Sequence, residues 1–304
     1  MAKKSAPRRD LYADVTDKIV AALEAGTAPW SCPWDRTGEI TLPINENTGA
    51  FYQGINIPML WMAQQERGFT SARWMTYKQA SEKGGQVRKG EKGTGIIFYK
   101  TLEKDSGRVD TDTGEAVMDH IPMLRAFTVF NLDQIDGIDA PLPPATGEGF
   151  DPIAIGEAVM QAAGVPVHHG GARAYYMPGA DTITLPDRVR FEKAEDYYAT
   201  ALHELTHATK HPTRCDRKRY EHENSKVSYA FEELVAEMGS AFLMAALGIS
   251  GNVQHHADYL DSWLTLLRQD KRAIFKAAAQ AQKAANWALD AHAAGADHSA
   301  SQTA

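Results

Sequence analysis

Two cysteines in 304 residues, Cys32 and Cys215, are too few and too far apart for a disulfide framework or a cysteine-rich zinc cluster. Any metal the chain holds must sit on imidazoles and carboxylates. No stretch approaches the ~18 uninterrupted apolar residues of a membrane helix, and no apolar segment follows the basic residues 1–10 as in a signal peptide. A cytoplasmic protein with no membrane partner is expected. Internal repeats and a Walker A loop are also missing, which removes solenoid architectures and P-loop chemistry. A net charge of −7 argues against coating duplex nucleic acid over the whole surface, although a global sum can hide a local patch.

With 43% hydrophobic and 23% charged residues, the chain has the composition of an ordinary folded protein. Its length exceeds what one core usually organises, so two domains are expected. The run GIDAPLPPATGEG from Gly137 to Gly149 is rich in proline and glycine and has no apolar periodicity. It places a linker at 141–150, between domains at 1–140 and 151–295. Residues 296–304 lack large apolar anchors and read as a disordered tail.

Leu11, Val15, Ile19, Val20 and Leu23 recur at helical spacing before Gly26 and Pro29, so 11–25 reads as an amphipathic helix. Helices are likewise expected over 54–67 and 76–83. Residues 95–100 and 124–130 are β-branched and aromatic and suit strands, joined by a long hairpin loop over 105–119. The second half opens with a helix over 152–163, then a small hairpin of 174–177 and 182–185 about the turn 178–181. Long helical patterns follow over 193–211, 229–247 and 252–289, the last interrupted near Asp270. The fold class is α+β, with an N-terminal α+β domain and a mainly helical C-terminal domain carrying a small sheet.

The first of those long helices contains His203-Glu204-Leu205-Thr206-His207. At i and i+4, His203 and His207 project from one helix face and can reach one ion, with Glu204 beside them to take a proton from bound water. A hydrolytic zinc site uses three protein ligands and keeps a position for water, so a third ligand must come from another element. The run Phe231-Glu-Glu-Leu-Val-Ala-Glu-Met238 offers Glu233 and Glu237 on one face. Among Leu234, Met238, Ala241 and Phe242, a carboxylate needs a cation to offset its desolvation. Glu233 is read as the ligand and Glu237 as the acceptor of an imidazole N–H, with the two roles exchangeable. Zinc is the expected ion, and manganese or another divalent cation suits the same ligands.

Lys210 and Thr213 stand where an extended metzincin pattern requires Gly and His. His211 is a fallback ligand, although it directly precedes Pro212, where helices end. Tyr220 and Tyr229 are candidate hydrogen-bond donors to an oxyanion, and the strand 182–185 is a candidate edge for a peptide substrate.

Between Arg67 and Lys100, eight cations stand against two carboxylates, Glu82 and Glu91. Phe69, Trp74, Tyr77, Phe98 and Tyr99 interleave with them. Aromatic faces that stack bases, beside cations that follow phosphates, are the combination used by single-strand binders. Trp74, Tyr77, Lys78, Arg88, Lys89 and Lys92 are the candidate nucleic-acid contacts. The same composition also suits a buried aromatic core under a solvated charged face.

Several motifs taken together resemble a known family. In the first half they are Pro29-Trp30, Pro33-Trp34, Tyr52-Gln-Gly-Ile-Asn56, Trp74-Met-Thr-Tyr-Lys-Gln-Ala80 and Val87-Arg-Lys-Gly-Glu-Lys-Gly93. In the second they are Tyr197-Tyr198, His203 to His207 and Glu232-Glu-Leu-Val-Ala-Glu237. The chain resembles the ArdC-type antirestriction proteins of conjugative plasmids, whose N-terminal domain also occurs in plasmid primases. That resemblance implies a domain that binds single-stranded DNA and a zincin-like metallopeptidase domain, together protecting incoming plasmid DNA from restriction. The spacing of Glu233 and Glu237 is similar to the Glu-x-x-x-Asp element of gluzincins, with Glu in place of Asp. It implies that the first carboxylate binds zinc and the second steadies a histidine.

The expected function is an antirestriction protein with a zinc metalloprotease site, Glu204 acting as general base on a protein substrate that the sequence does not identify. Its rival is a non-catalytic single-strand binder that shields DNA by occupancy and keeps a structural metal. A metal-dependent nuclease is disfavoured, since such sites gather carboxylates around magnesium or manganese.

Overall fold

Asp10 accepts hydrogen bonds from the backbone N–H groups of Tyr12 and Ala13, and this cap starts α1, Leu11–Glu24. The computed structural model describes residues 10–32, 41–109, 116–138, 152–250 and 259–301. The linker expected at 141–150 lies outside them.

The N-terminal domain continues with β1 (Ile44–Asn45), α2 (Asn56–Arg67), β2 (Arg73–Thr76), α3 (Tyr77–Glu82) and β3 (Gln86–Val87). It ends with β4 (Thr94–Val109), β5 (Ala116–Asn131) and β6 (Ile135–Asp136). Gly68, at φ 68°, closes α2 in the left-handed conformation that glycine adopts without strain. Thr76 and Gln79 form a reciprocal capping box that opens α3. One sheet has the order β1-β2-β5-β4, with β1 parallel to β2 and the other pairs antiparallel. The outer edge of β4 is met by Asn56, whose side chain bonds both the N–H and the C=O of Ile97 at 2.8 Å. The hairpin loop expected at 105–119 is shorter than that, because β4 runs to Val109 and β5 resumes at Ala116. A two-stranded ladder is held by backbone hydrogen bonds, so it extends through polar residues that show no apolar alternation.

The C-terminal domain comprises α4 (Pro152–Ala162), β7 (Val167–His169), β8 (Tyr175–Met177), β9 (Thr182–Leu185), α5 (Ala194–Ala208), α6 (Ser225–Leu247), α7 (Leu260–Gln269) and α8 (Ala273–Ser301). The break expected near Asp270 separates α7 from α8. Alanine-rich sequence carries α8 past Gly295, so the tail expected from 296 is helical to Ser301. The three strands have the order β7-β9-β8. β9 is therefore central and cannot accept a further strand, and the expected peptide edge at 182–185 is corrected: the sheet's open edges are β7 and β8.

Both domains contribute to one apolar cluster. Trp30 packs edge-to-face on Trp263 at 5.3 Å between centroids, and Trp61 does the same on Phe242 at 6.1 Å. Gln282 of α8 accepts a hydrogen bond from the Gly54 backbone at 3.0 Å. Within the second domain α6 is the central helix, buried along most of its length against α5, α7 and α8. Gly239 lets α6 approach α5 closely, since a Cβ there would stand 2.5 Å from Thr206 Cγ2.

Candidate metal centre and nucleic-acid interface

Helix α5 is buried over nearly its whole length from Tyr197 to Ala208, and this brings its His203 and His207 against α6. The imidazoles stand edge-to-face, 4.8 Å between centroids. From α6, Glu233 reaches both: Nε2 of His203 lies 3.4 Å from one carboxylate oxygen and Nε2 of His207 lies 3.5 Å from the other. One ligand atom from each of these three buried residues falls within 4.8 Å of the others. Ligand atoms about 2.1 Å from a tetrahedral ion stand roughly 3.4 Å apart, so the two nitrogen-to-oxygen separations fit a divalent cation held by two nitrogens and one oxygen.

His207 has a partner for its second imidazole nitrogen that the sequence alone did not name. Nδ1 of His207 donates to Glu232 at 3.0 Å, which leaves Nε2 as the nitrogen facing the centre. Glu232 is gripped in turn by Arg217, Nε to Oε2 at 2.9 Å and a terminal nitrogen to Oε1 at 2.6 Å. Arg217, with only 1% of its side chain exposed, also donates to the Thr206 carbonyl and the Thr209 hydroxyl. Arg217 sits outside any motif, and Glu232, although it opens the Glu232-to-Glu237 motif, reads in sequence only as the neighbour of Glu233 turned off its face. Glu237 is wholly buried one turn beyond Glu233.

Burial disfavours charge on His207, yet its hydrogen bonds to Glu232 and Glu233 outweigh that and raise its pKa to about 9. Glu232 is lowered to about 2: burial works against its charge, and Arg217 and His207 overcome it. Glu233 is held far below the usual carboxylate range, burial again being overcome by the two imidazoles.

Glu204 and His203 line a cleft of about 540 Å³ together with Arg173, Ala174, Pro186, Arg190 and Phe191. That wall belongs to the β7–β9 sheet and the segment after it, and it is tied to the metal helix. Arg214 grips Asp181 of the β8–β9 turn with two bonds, at 2.8 and 2.7 Å, and donates to the carbonyl of Ala208 at the end of α5. Tyr229, one turn before Glu233, hydrogen-bonds its carboxylate, and burial together with that bond raises the tyrosine's pKa. Tyr220 is elsewhere, bonded to Asp270 at 2.8 Å and stacked on Phe231. His211 bonds Thr213 beyond the end of α5 and is not among the convergent ligand atoms.

The six expected nucleic-acid contacts do not form one group. Trp74 is completely buried against Phe69, Leu60 and Val129, so its expected role in base stacking is corrected: β2 is an interior strand and its face is core. Tyr77 is exposed and packs edge-to-face on Phe130. Lys78 pairs loosely with Glu82 at 3.5 Å, and Arg88 is engaged by Glu91, Asp136 and the Asp133 carbonyl. Lys89 and Lys92 are exposed and make no ion pair among the described residues. No helix among the described residues is long and apolar enough to cross a membrane.

Comparison with known proteins reproduces this division. Residues 9–130 match the N-terminal domain of anti-restriction factor ArdC, and residues 154–280 match a zincin-like metallopeptidase. Crystal structures of the antirestriction ArdC protein from plasmid R388 superpose with TM-scores of 0.77 for a metal-free form and 0.76 for an Mn(II)-bound form. Identities are 44% and 42%, covering 94% of this chain and 98% and 99% of those chains. The chain is 42% identical over 296 residues to the DNA primase TraC of Escherichia coli, 93% of this chain but only 20% of that protein's length. It is 39% identical over 284 residues to the uncharacterized protein y4eC of Sinorhizobium fredii, 91% of each chain.

Proposed function

The chain belongs to the ArdC family of antirestriction proteins, and from that premise we propose that it binds single-stranded DNA through its N-terminal domain and carries a zinc-dependent peptidase site in its C-terminal domain, acting in the cytoplasm to protect incoming plasmid DNA from restriction. The observation that carries the peptidase half is the convergence of His203, His207 and Glu233 with Glu204 at the wall of an open cleft. These ligands suit Zn(II), and the existence of an Mn(II)-bound structure of the R388 relative supports a divalent ion.

His203, His207 and Glu233 would hold the ion, which when bound polarises a water and a peptide carbonyl. Glu204, beside His203 and facing the cleft, takes the proton from that water and returns it to the leaving amine. Tyr229, already at the Glu233 carboxylate, is placed to donate to a developing oxyanion. Glu232 and Arg217 fix the orientation of His207, and the buried Glu237, one turn beyond Glu233, serves as acceptor for an imidazole N–H of the ligand pair. The edge strand β8 next to the cleft offers backbone groups on which a peptide can lie extended.

A structural role for the ion is the competing reading. The R388 relative matches this chain nearly equally in its metal-free and Mn(II)-bound forms, which argues against an ion needed to hold the fold. The test is Glu204→Gln. Peptide hydrolysis by the zinc-loaded variant should fall by about 100-fold or more while metal affinity and DNA binding stay at wild-type level. A variant that retains full antirestriction protection in a conjugation assay would instead assign protection to DNA occupancy.

A further inference from the structure

Because residues two apart on a strand share a face, the register that pairs Phe98 with Arg125, Ile96 with Phe127 and Thr94 with Val129 puts all six on one side of the β4–β5 ribbon. At the inner end this face is core: Val129 and Ile96 pack with Trp74 and Leu60. Toward the outer end the cover stops. Phe98 is 50% exposed and Phe127 43%, their rings edge-to-face at 5.9 Å.

The surroundings are cationic. Arg125 is exposed across from Phe98 and makes no ion pair among the described residues. The loop that feeds β4 carries exposed Lys89 and Lys92, and four residues of strand between Thr94 and Phe98 span roughly 13 Å, within the reach of the several nucleotides such sites hold. Across 88–99 and 123–131 the single carboxylate is Glu91, already engaged by Arg88 and Gln134. Cations beside bare aromatic faces suit a polyanion that offers rings to stack, and a duplex keeps its base faces stacked within the helix.

We propose that the Phe98–Phe127 pair on the open face of the β4–β5 ribbon stacks unpaired bases of single-stranded nucleic acid, with Arg125, Lys89 and Lys92 holding the adjoining phosphates. This rests on the reading that the N-terminal domain binds single strands, and it moves the stacking surface away from Trp74, which the fold buries. The ring pair supplies preference for single strands and the cations supply affinity that falls with salt.

The experiment uses the full chain and fluorescence anisotropy with a fluorescein-labelled oligothymidylate and a labelled duplex, each titrated at low and at moderate salt. Phe98→Leu with Phe127→Leu, which keeps the sites apolar, should weaken oligothymidylate binding at least about fivefold per ring while the salt slope and any duplex binding stay unchanged. Lys89→Gln with Lys92→Gln should weaken both probes and flatten the single-strand salt slope by roughly 1.4 for two phosphates. Arg125→Glu, at an exposed position that leaves the rings in place, should also weaken oligothymidylate binding. Wild-type protein that binds the oligonucleotide, alongside a double-leucine variant that melts like wild type and binds as tightly, overturns the assignment and leaves the DNA-binding reading standing. Wild-type protein that binds neither probe overturns that reading and this site with it, and hands the aromatic pair to a protein partner.

Discussion

Replacing Glu232 by Gln keeps the side chain's volume and removes the charge between His207 and Arg217. The carboxylate accepts two bonds from Arg217, at 2.9 and 2.6 Å, and one from Nδ1 of His207 at 3.0 Å. His207 and one Arg217 nitrogen share Oε1 while Arg217 Nε uses Oε2, so an amide NH2 at either position meets the guanidinium donor against donor, and at Oε1 it also turns away the imidazole N–H. Loss of such a partner behind a metal-binding histidine costs about 10- to 100-fold in metal affinity, or about 1.4 to 2.7 kcal/mol. The metal-free fold should also weaken, because Arg217 keeps its buried charge. One-sided removal from a buried pair costs about 3 to 5 kcal/mol, and the partial exposure of Glu232 points to the lower end. Competition for Zn(II) against a chromogenic chelator measures the first quantity, and urea unfolding of the metal-free protein measures the second. Arg217→Lys should reproduce part of both losses, since lysine keeps the charge without the two-pronged geometry. Wild-type metal affinity and wild-type stability in Glu232→Gln would refute the role given to this carboxylate.

The raised pKa of His207 sets a pH dependence. Its pairing with the two carboxylates stabilises the metal-free fold fully below about 6.5 and is lost as pH rises through about 9, while metal binding releases the same proton. Zn(II) affinity should therefore climb about tenfold per pH unit between those limits, and calorimetry in buffers of different ionisation enthalpy that finds no proton release would refute this. Gly239→Ala would set a Cβ 2.5 Å from Thr206 Cγ2 and should destabilise the protein by about 1 to 3 kcal/mol while weakening metal binding. Unchanged melting and metal affinity would show that α5 and α6 can part without cost. Trp263→Ala removes a buried ring that meets Trp30 and donates to the Ala230 carbonyl at 2.9 Å, a loss of about 3 to 5 kcal/mol. Because the cluster spans both domains, unfolding probes in either half should shift together, and separated transitions would contradict a common core.

Local rules were enough for part of this protein. The i, i+4 spacing of His203 and His207 puts both imidazoles on one face of any helix that forms there, and the surrounding periodicity says that it forms. The same reasoning reached α1, α2, the β8–β9 turn and the break at Asp270, all of which are set by residues within a few positions of each other. It also placed Glu233 opposite the histidines, because a buried carboxylate one helix later needs a cation. The remainder depended on which elements meet. That Glu232 faces His207 is decided by the rotation of α6 against α5, whose close approach the missing Cβ of Gly239 permits. Arg217 joins the site only because the loop after α5 folds back under it. Trp74 and Phe98 are both aromatic strand residues flanked by cations. One is covered and the other bare because β2 is interior while the β4–β5 ribbon extends beyond its cover, and sheet order is a relation between segments far apart in the chain. Residue type and spacing carry the chemistry that a single helix can present. Burial, charge partners and strand order belong to the packing of distant segments, and for that reason only the tertiary structure decided them.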